Sequence, residues 1–268
     1  MPYNLSVVSF VTDAVVLGAM RYGEADRIIT LLTVDHGRLN AIAKSARKPN
    51  SSFHASTESF IQGRFELAEG RSLAILRHAE IINPHLKIRD SWSRLQLAGH
   101  VCEISAKMGE EKHPDPELYA FTCAALESID KGDPKAVLIF KVSLLDHMGV
   151  FPELGGCVRC ESRKAKGQVH LDERAGGFLC ADCAKETGCY RPVPMEVLHV
   201  LNAVKSSMDV PDATEDTLDL AEDLLTQLLQ AFLQAGFKTV AAARQARSAE
   251  RERTKTSTET NDDAGIPA

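Results

Sequence analysis

The chain lacks most of the signatures that mark an enzyme. It contains no Gly-Lys dipeptide, so the glycine-rich loop that seats nucleotide phosphates under a lysine is absent, and no Gly-x-Ser-x-Gly elbow presents a serine nucleophile. The tripeptide His78-Ala79-Glu80 resembles half of a zinc-deaminase signature, but the other half needs a proline before a cysteine pair, and neither pair here has one. Redox chemistry at the cysteine pairs would need a βαβ setting that the flanking pattern does not provide. No stretch reaches the roughly 18 to 20 uninterrupted apolar residues of a membrane span. Met1 to Phe10 carries no basic segment ahead of an apolar run and no small-residue cleavage site, so we expect a cytoplasmic protein without membrane contact and without a catalytic residue.

What the chain does have is cysteine in a pattern. Cys157 and Cys160 form one C-x-x-C pair, Cys180 and Cys183 another, with 19 residues between the pairs. Two residues between thiols let both sulfurs face one centre, and a second pair completes a tetrahedron, the spacing of structural zinc. Four protein thiolates at about 2.3 Å leave no open position for substrate, so one Zn2+ is expected as a staple and not a catalyst. Reduced thiols in the cytoplasm favour metal over disulfide. Cys102 and Cys123 sit in apolar helical patterns and read as buried residues, while Cys189 is the one alternative ligand, at a spacing that breaks the symmetry.

Acidic residues are missing from one segment. The net charge is −6, yet nothing between Asp35 and Glu58 is acidic, while Arg38, Lys44, Arg47 and Lys48 lie inside that gap. A local cationic patch on an acidic chain is suited to phosphate backbones. Alternation over Gly37 to Lys44 puts Arg38, Asn40 and Lys44 on the outer face of a strand and Leu39 and Ala41 inside. Such a face can track single-stranded nucleic acid. Aromatic residues are only 6% of the chain, Tyr22 and Phe53 being the nearest, so stacking is sparse and sequence preference should be small. Basic residues near the cysteines (Arg159, Arg163, Lys164, Lys166) and near the C-terminus (Arg244, Arg247, Arg251, Arg253, Lys255) read as secondary contacts or as solvated faces.

The pattern predicts an α+β multidomain chain. Residues 1–82 carry five short strand signals with hairpin turns at Asp35-His36-Gly37 and Glu69-Gly70-Arg71, which fits a five-stranded OB-fold barrel; an SH3-like barrel stays open on pattern alone. Residues 83–256 change to helical periodicity. Asp115-Pro116 and Asp133-Pro134 pair an acidic N-cap with proline at the first helical position, and further helices are expected over 194–208 and 214–235. The zinc module, 151–190, is inserted in this helical domain and holds too few large hydrophobes to build a core of its own. A solvated, fraying helix beyond Phe237 and a disordered tail over 257–268 complete the chain.

The order of features resembles the bacterial recombination mediator RecO family over essentially residues 10–240. Tyr22-Gly23-Glu24-Ala25-Asp26-Arg27-Ile28-Ile29-Thr30-Leu31-Leu32-Thr33, His36-Gly37-Arg38-Leu39 and Ala43-Lys44-Ser45-Ala46-Arg47-Lys48 carry the likeness first. Phe140 to Gly149, Phe151-Pro152-Glu153-Leu154 and the cysteine pairs follow in order. The resemblance implies an OB-fold, a helical domain and a zinc insertion. It implies binding of single- and double-stranded DNA, strand annealing, partnership with RecR, docking of the acidic tail of single-strand-binding protein, and indirect help to the RecA filament. The DNA contacts it implies are Arg38, Lys44, Arg47 and Lys48, with Arg27 either a contact or a brace for the hairpin through Glu24 or Asp26. Ser45 stands where the family usually has glycine. The competing reading from the residues is a zinc-stapled protein-interaction or transcription-regulating module.

Overall fold

Alternation of buried and exposed residues builds a barrel first. The computed structural model describes residues 8–163, 168–172, 175–188 and 191–250. Five strands, β1 (Ser9–Tyr22), β2 (Asp26–Thr33), β3 (Arg38–Ala43), β4 (Gln62–Ala68) and β5 (Ala74–Asn83), close in the order β1-β2-β3-β5-β4. All neighbours are antiparallel except β3 and β5, which meet in parallel at Ala41–Ala74 and Ile42–Ile75. That closure gives an OB-like barrel and removes the SH3-like alternative. Ala14, Val16, Ile29, Leu31, Ala41, Ala43, Phe65, Leu67 and Leu76 fill the interior. β1 changes register between Val16 and Gly18, and such a bulge bends a strand so that it can pair on both sides of a small barrel. At the β2–β3 turn Gly37 has φ +70, and a Cβ there would stand 2.6 Å from the carbonyl oxygens of both Glu110 and His113, so only glycine fits.

The described chain divides into two compact units, one ending at Pro134 and resumed from Phe237, the other Lys135–Gly236. The first joins the barrel to α1 (Trp92–Met108) and α2 (Pro116–Lys131). α2 starts as its sequence predicts: the Asp115 carboxylate accepts from Leu118 N–H at 2.9 Å, with Pro116 at the first turn. Asp133-Pro134 does not cap in the same way, because the next helix, α3 (Ala136–His147), begins after Lys135. Residues 240–250 are helical, and two of them correct the expectation of a solvated helix: Arg247 and Glu250 are buried. Glu250 accepts from Arg94 Nε at 2.8 Å and from the Ser93 hydroxyl, at the positive end of the α1 dipole.

The second unit packs α3 against α5 (Met195–Ser207) and α6 (Glu215–Leu233). Nine of the twelve α3 residues are buried, Lys141 among them. Its ammonium donates to Glu222 Oε2 at 3.2 Å and Thr226 Oγ1 at 2.8 Å. Between α3 and α5 runs the cysteine segment, with α4 (Ala181–Thr187) and a three-stranded sheet ordered β7 (Gly177–Leu179), β6 (Gln168–Asp172), β8 (Pro192–Pro194). Val169, Leu171, Phe178, Leu179 and Val193 are buried there, and Leu179 and Ala184 cluster with Cys157 and Cys183. Among the described residues no helix is long and apolar enough to cross a membrane.

Candidate nucleic-acid interface and metal centre

β3 presents the face that alternation predicts. Leu39, Ala41 and Ala43 pack inward, while Arg38, Asn40 and Ile42 face out and Lys44 follows them, exposed. Cross-strand register extends this face: Met20, Ile28 and Ile42 lie in one row, continued by Ile75 of β5, and Gly18, Thr30 and Asn40 in the next. The Thr30 hydroxyl donates to Asn40 Oδ1 at 2.8 Å, which fixes the amide. Met20 and Tyr22 are 62% and 51% exposed, an apolar and aromatic strip with no core to cover it. Arg77, two residues beyond Ile75, is exposed on the same face and forms no ion pair among the described residues. The sequence reading missed Arg77, which is the extra residue where β5 shifts register against Glu66 and Leu67, so that Arg77 and His78 are both exposed.

The five cations expected at DNA separate into two groups. Arg38 is tied to the protein, its Nε donating to the Gly109 carbonyl at 2.9 Å and its guanidinium pairing with Glu111 at 3.3 Å. Arg47 donates to the Glu24 carbonyl at 3.1 Å and clamps the β1–β2 turn. Arg27 is a brace, but to the loop after β3 and not to Glu24 or Asp26: it pairs with Glu58 at 2.7 Å and donates to Thr57 Oγ1 at 3.1 Å. Asp26 instead accepts from the Ser45 backbone N–H at 2.7 Å. Of the five, Lys44 and Lys48 are the exposed ones, and neither side chain has an ion pair or hydrogen bond among the described residues.

A groove of about 720 Å³ lies where the β2–β3 and β4–β5 turns meet the segment after α1; Phe10, His36, Asn40, Arg71 and Lys112 line it. The Phe10 and His36 rings are 4.2 Å apart.

The metal centre is built by two turns. The carbonyl of Cys157 accepts from Glu161 N–H at 2.8 Å in the first, and Cys180 caps α4, its carbonyl accepting from Ala184 N–H at 2.9 Å. The four sulfurs all lie within 4.8 Å of one another, and Cys160 and Cys180 are 3.8 Å apart. A tetrahedron of thiolates at about 2.3 Å from zinc has edges of about 3.8 Å, so the donor set fits. Burial opposes ionisation of Cys157, but the amides of Cys160, Cys180 and Arg159 outweigh it and lower that thiol to about 6. Burial and the neighbouring thiols raise Cys183 to about 12. Cys157 is thus ready to carry charge, whereas Cys183 requires a cation to do so. Cys189, Lys164 and Lys166 lie outside the described residues, as do Arg251, Arg253, Lys255 and the predicted tail over 257–268; Arg159 pairs with Glu186 at 3.0 Å. Cys102 and Cys123 are free thiols, the first buried and the second half-buried. His78 and Glu80 sit exposed on β5 in the barrel unit, and the four cysteines belong to Lys135–Gly236.

Comparison with known proteins separates the barrel from the helices that follow it. Family models described as recombination protein O N terminal and recombination protein O C terminal match residues 8–85 and 89–241. DNA repair protein RecO of Bacillus subtilis (strain 168) is 32% identical over 191 residues, 70% of this chain and 74% of that protein. DNA repair protein RecO of Exiguobacterium sibiricum is 36% identical over 170 residues, 63% and 68% of the two chains. That of Dehalococcoides mccartyi is 28% identical over 222 residues, 82% and 86%. With barrel and helical half matched in order, and with the B. subtilis relative covered over 74% of its length, the chain belongs to the RecO family.

Proposed function

We propose that this chain is a DNA repair and recombination mediator that binds single- and double-stranded DNA, anneals complementary strands and, with RecR, helps RecA load onto DNA coated with single-strand-binding protein. The observation that carries the DNA reading is the outer face of the barrel, where Lys44 and Arg77 stand unpaired among the described residues beside exposed Met20 and Tyr22. Free cations displace counterions from phosphates, and an apolar and aromatic strip receives bases without demanding a sequence. Annealing is opposed by phosphate repulsion, so a face that holds one strand loosely and admits a second lowers the barrier with no covalent step and no ATP. Residues 1–82 are the DNA-binding part in this reading. One zinc ion held by Cys157, Cys160, Cys180 and Cys183 shapes the 151–190 insertion.

The decisive experiment is annealing of complementary oligonucleotides in the presence of single-strand-binding protein, comparing the native chain with Lys44→Ala/Arg77→Ala. The double variant should bind single strands more weakly and with a shallower salt dependence. Native binding that is undetectable at low salt would sink the DNA reading. It would favour the rival, a zinc-stapled protein-interaction module, which draws on the internal engagement of Arg27, Arg38 and Arg47.

A further inference from the structure

The outer face of the barrel is closed at one end. Arg38 N–H donates to the Glu110 carbonyl at 2.9 Å, and Glu111 bridges to both Gly37 and Arg38, so the segment after α1 crosses the β2–β3 face where β3 begins. A strand running along that face from Lys44 toward Arg38 meets this crossing and must stop or turn. The groove of about 720 Å³ opens at that point, roomy enough for one or two nucleotides.

We propose that the groove is a binding site for the terminal or turned-out nucleotide of a single strand. The proposal rests on the DNA reading above and adds a second, separate subsite to it. Three features compose the site. The Phe10 and His36 rings, 4.2 Å apart and tilted by 48°, supply an aromatic surface for a base. Asn40, with its Oδ1 already accepting from Thr30, has its amide N–H2 left to donate to a base carbonyl. Arg71 and Lys112 stand exposed at the rim and carry no ion pair among the described residues, available to a phosphate. Three carboxylates also line the groove, and two are already engaged: Asp35 accepts from the Thr12 hydroxyl and lies 3.6 Å from His36, and Glu111 pairs with Arg38. With Glu111 offset by Arg38, Asp35 and Glu69 balance the two rim cations, so the lining is neutral overall and Arg71 and Lys112 act as local phosphate donors at the rim.

The geometry also says which chemistry is read. An amide donor and two cations accept a carbonyl-bearing base with its phosphate, and nothing in the lining discriminates ribose from deoxyribose. Two probes separate the subsite from the face. The first is the 5′-phosphorylated dinucleotide pdTpdT, too short to span the face, titrated into the full chain. The second is pyrrolo-deoxycytidine, a fluorescent base that keeps its ring carbonyl, placed at the 5′ end, the 3′ end or the middle of a 40-mer. The subsite predicts saturable binding of the dinucleotide and fluorescence quenching at one terminus in excess of the middle position. Arg71→Ala/Lys112→Ala should weaken the dinucleotide by about tenfold, the scale of one to two charge-assisted contacts, while changing 40-mer affinity by less than about threefold. Asn40→Asp keeps the acceptor for Thr30 and removes the donor, so it should abolish terminal quenching in a folded protein. If the 40-mer binds but the dinucleotide does not saturate and all three probe positions quench alike, the groove assignment is overturned and the DNA reading stands. If the dinucleotide saturates in an Arg71- and Lys112-dependent way while the 40-mer binds no more tightly than the dinucleotide, the groove stands and the extended face falls. Displacement of nothing but a poly-glutamate peptide by these two substitutions would reassign the groove to acidic protein and overturn the proposal.

Discussion

Lys44 and Arg38 are six residues apart in a cationic segment, yet the fold gives them different physical roles. Arg38 is 26% exposed at its side chain and spends its donors on the Gly109 carbonyl and Glu111. Replacing it with alanine strands a carbonyl and unties the crossing after α1, so Arg38→Ala should lower stability by about 1 to 2 kcal/mol as well as weaken DNA binding. Lys44→Ala should leave the melting temperature unchanged and reduce the salt slope of single-strand binding by roughly one unit. Thermal melts beside salt titrations read both, and equal melting of the two variants would contradict the division. Ser45 is informative in the same way. Its φ is +56, the left-handed region that costs a non-glycine residue roughly 1 to 2 kcal/mol. Ser45→Gly removes that strain but loosens the unfolded chain by about 0.5 to 1 kcal/mol, so a gain of at most about 1.5 kcal/mol is expected in denaturant unfolding.

At the scale of elements, the helical run 240–250 is held by side chains far away in sequence. Glu103 of α1 accepts from the N–H groups of Lys238 and Thr239 at 2.8 and 2.9 Å and from the Thr239 hydroxyl at 2.7 Å, serving as a cap from outside the helix. Partial burial pushes the Glu103 carboxyl up, but these donors and Lys107 outweigh it and hold the group below the usual carboxylate range. The sign follows: the contribution is complete above the ordinary carboxylate pKa and is lost as pH falls through the lower folded value. Native-state hydrogen exchange over 240–250 should therefore accelerate relative to the barrel below about pH 4, and Glu103→Gln should flatten that difference. Persistence of the pH effect in Glu103→Gln would assign it to another group. Glu250 completes the element from its other end by holding Arg94 and Ser93.

For the whole molecule, the two compact units answer to different perturbations. The sole tryptophan, Trp92, is 74% exposed in the barrel unit, while the metal centre lies in Lys135–Gly236. Chelation should therefore lower helical circular dichroism and the first melting transition while leaving Trp92 emission in place; a parallel change in both would show the units unfolding together. Metal retention should also fall as pH drops, because thiolates and protons compete for the same sulfurs. The buried Lys141–Glu222 pair gives a second test. Lys141→Met alone abandons a buried carboxylate and should cost about 3 to 5 kcal/mol, whereas Lys141→Met with Glu222→Leu should recover most of it. Failure of the double substitution to recover stability would mean that Thr226 and the wider packing, rather than charge, hold α3 to α6.

The sequence by itself determined what depends on spacing and period. Two C-x-x-C pairs brought four sulfurs within reach of one centre, Asp115-Pro116 started α2, and alternation over residues 38–43 set which side of β3 faces out, because each of these is a property of a short stretch of backbone. Tertiary structure alone decided matters of partnership. The parallel meeting of β3 with β5 separates an OB-like barrel from other five-stranded barrels, and it joins residues more than 30 positions apart. The same holds for the cations: Arg27, Arg38 and Arg47 look as free in the sequence as Lys44, and only folding brings Glu58, Glu111 and the Glu24 carbonyl to them. Glu250 reads as part of a solvated helix until α1 supplies Arg94 and Ser93. A charge is legible in a sequence, but whether it is spent inside the fold or left for a ligand depends on what long-range packing places within about 3 Å of it.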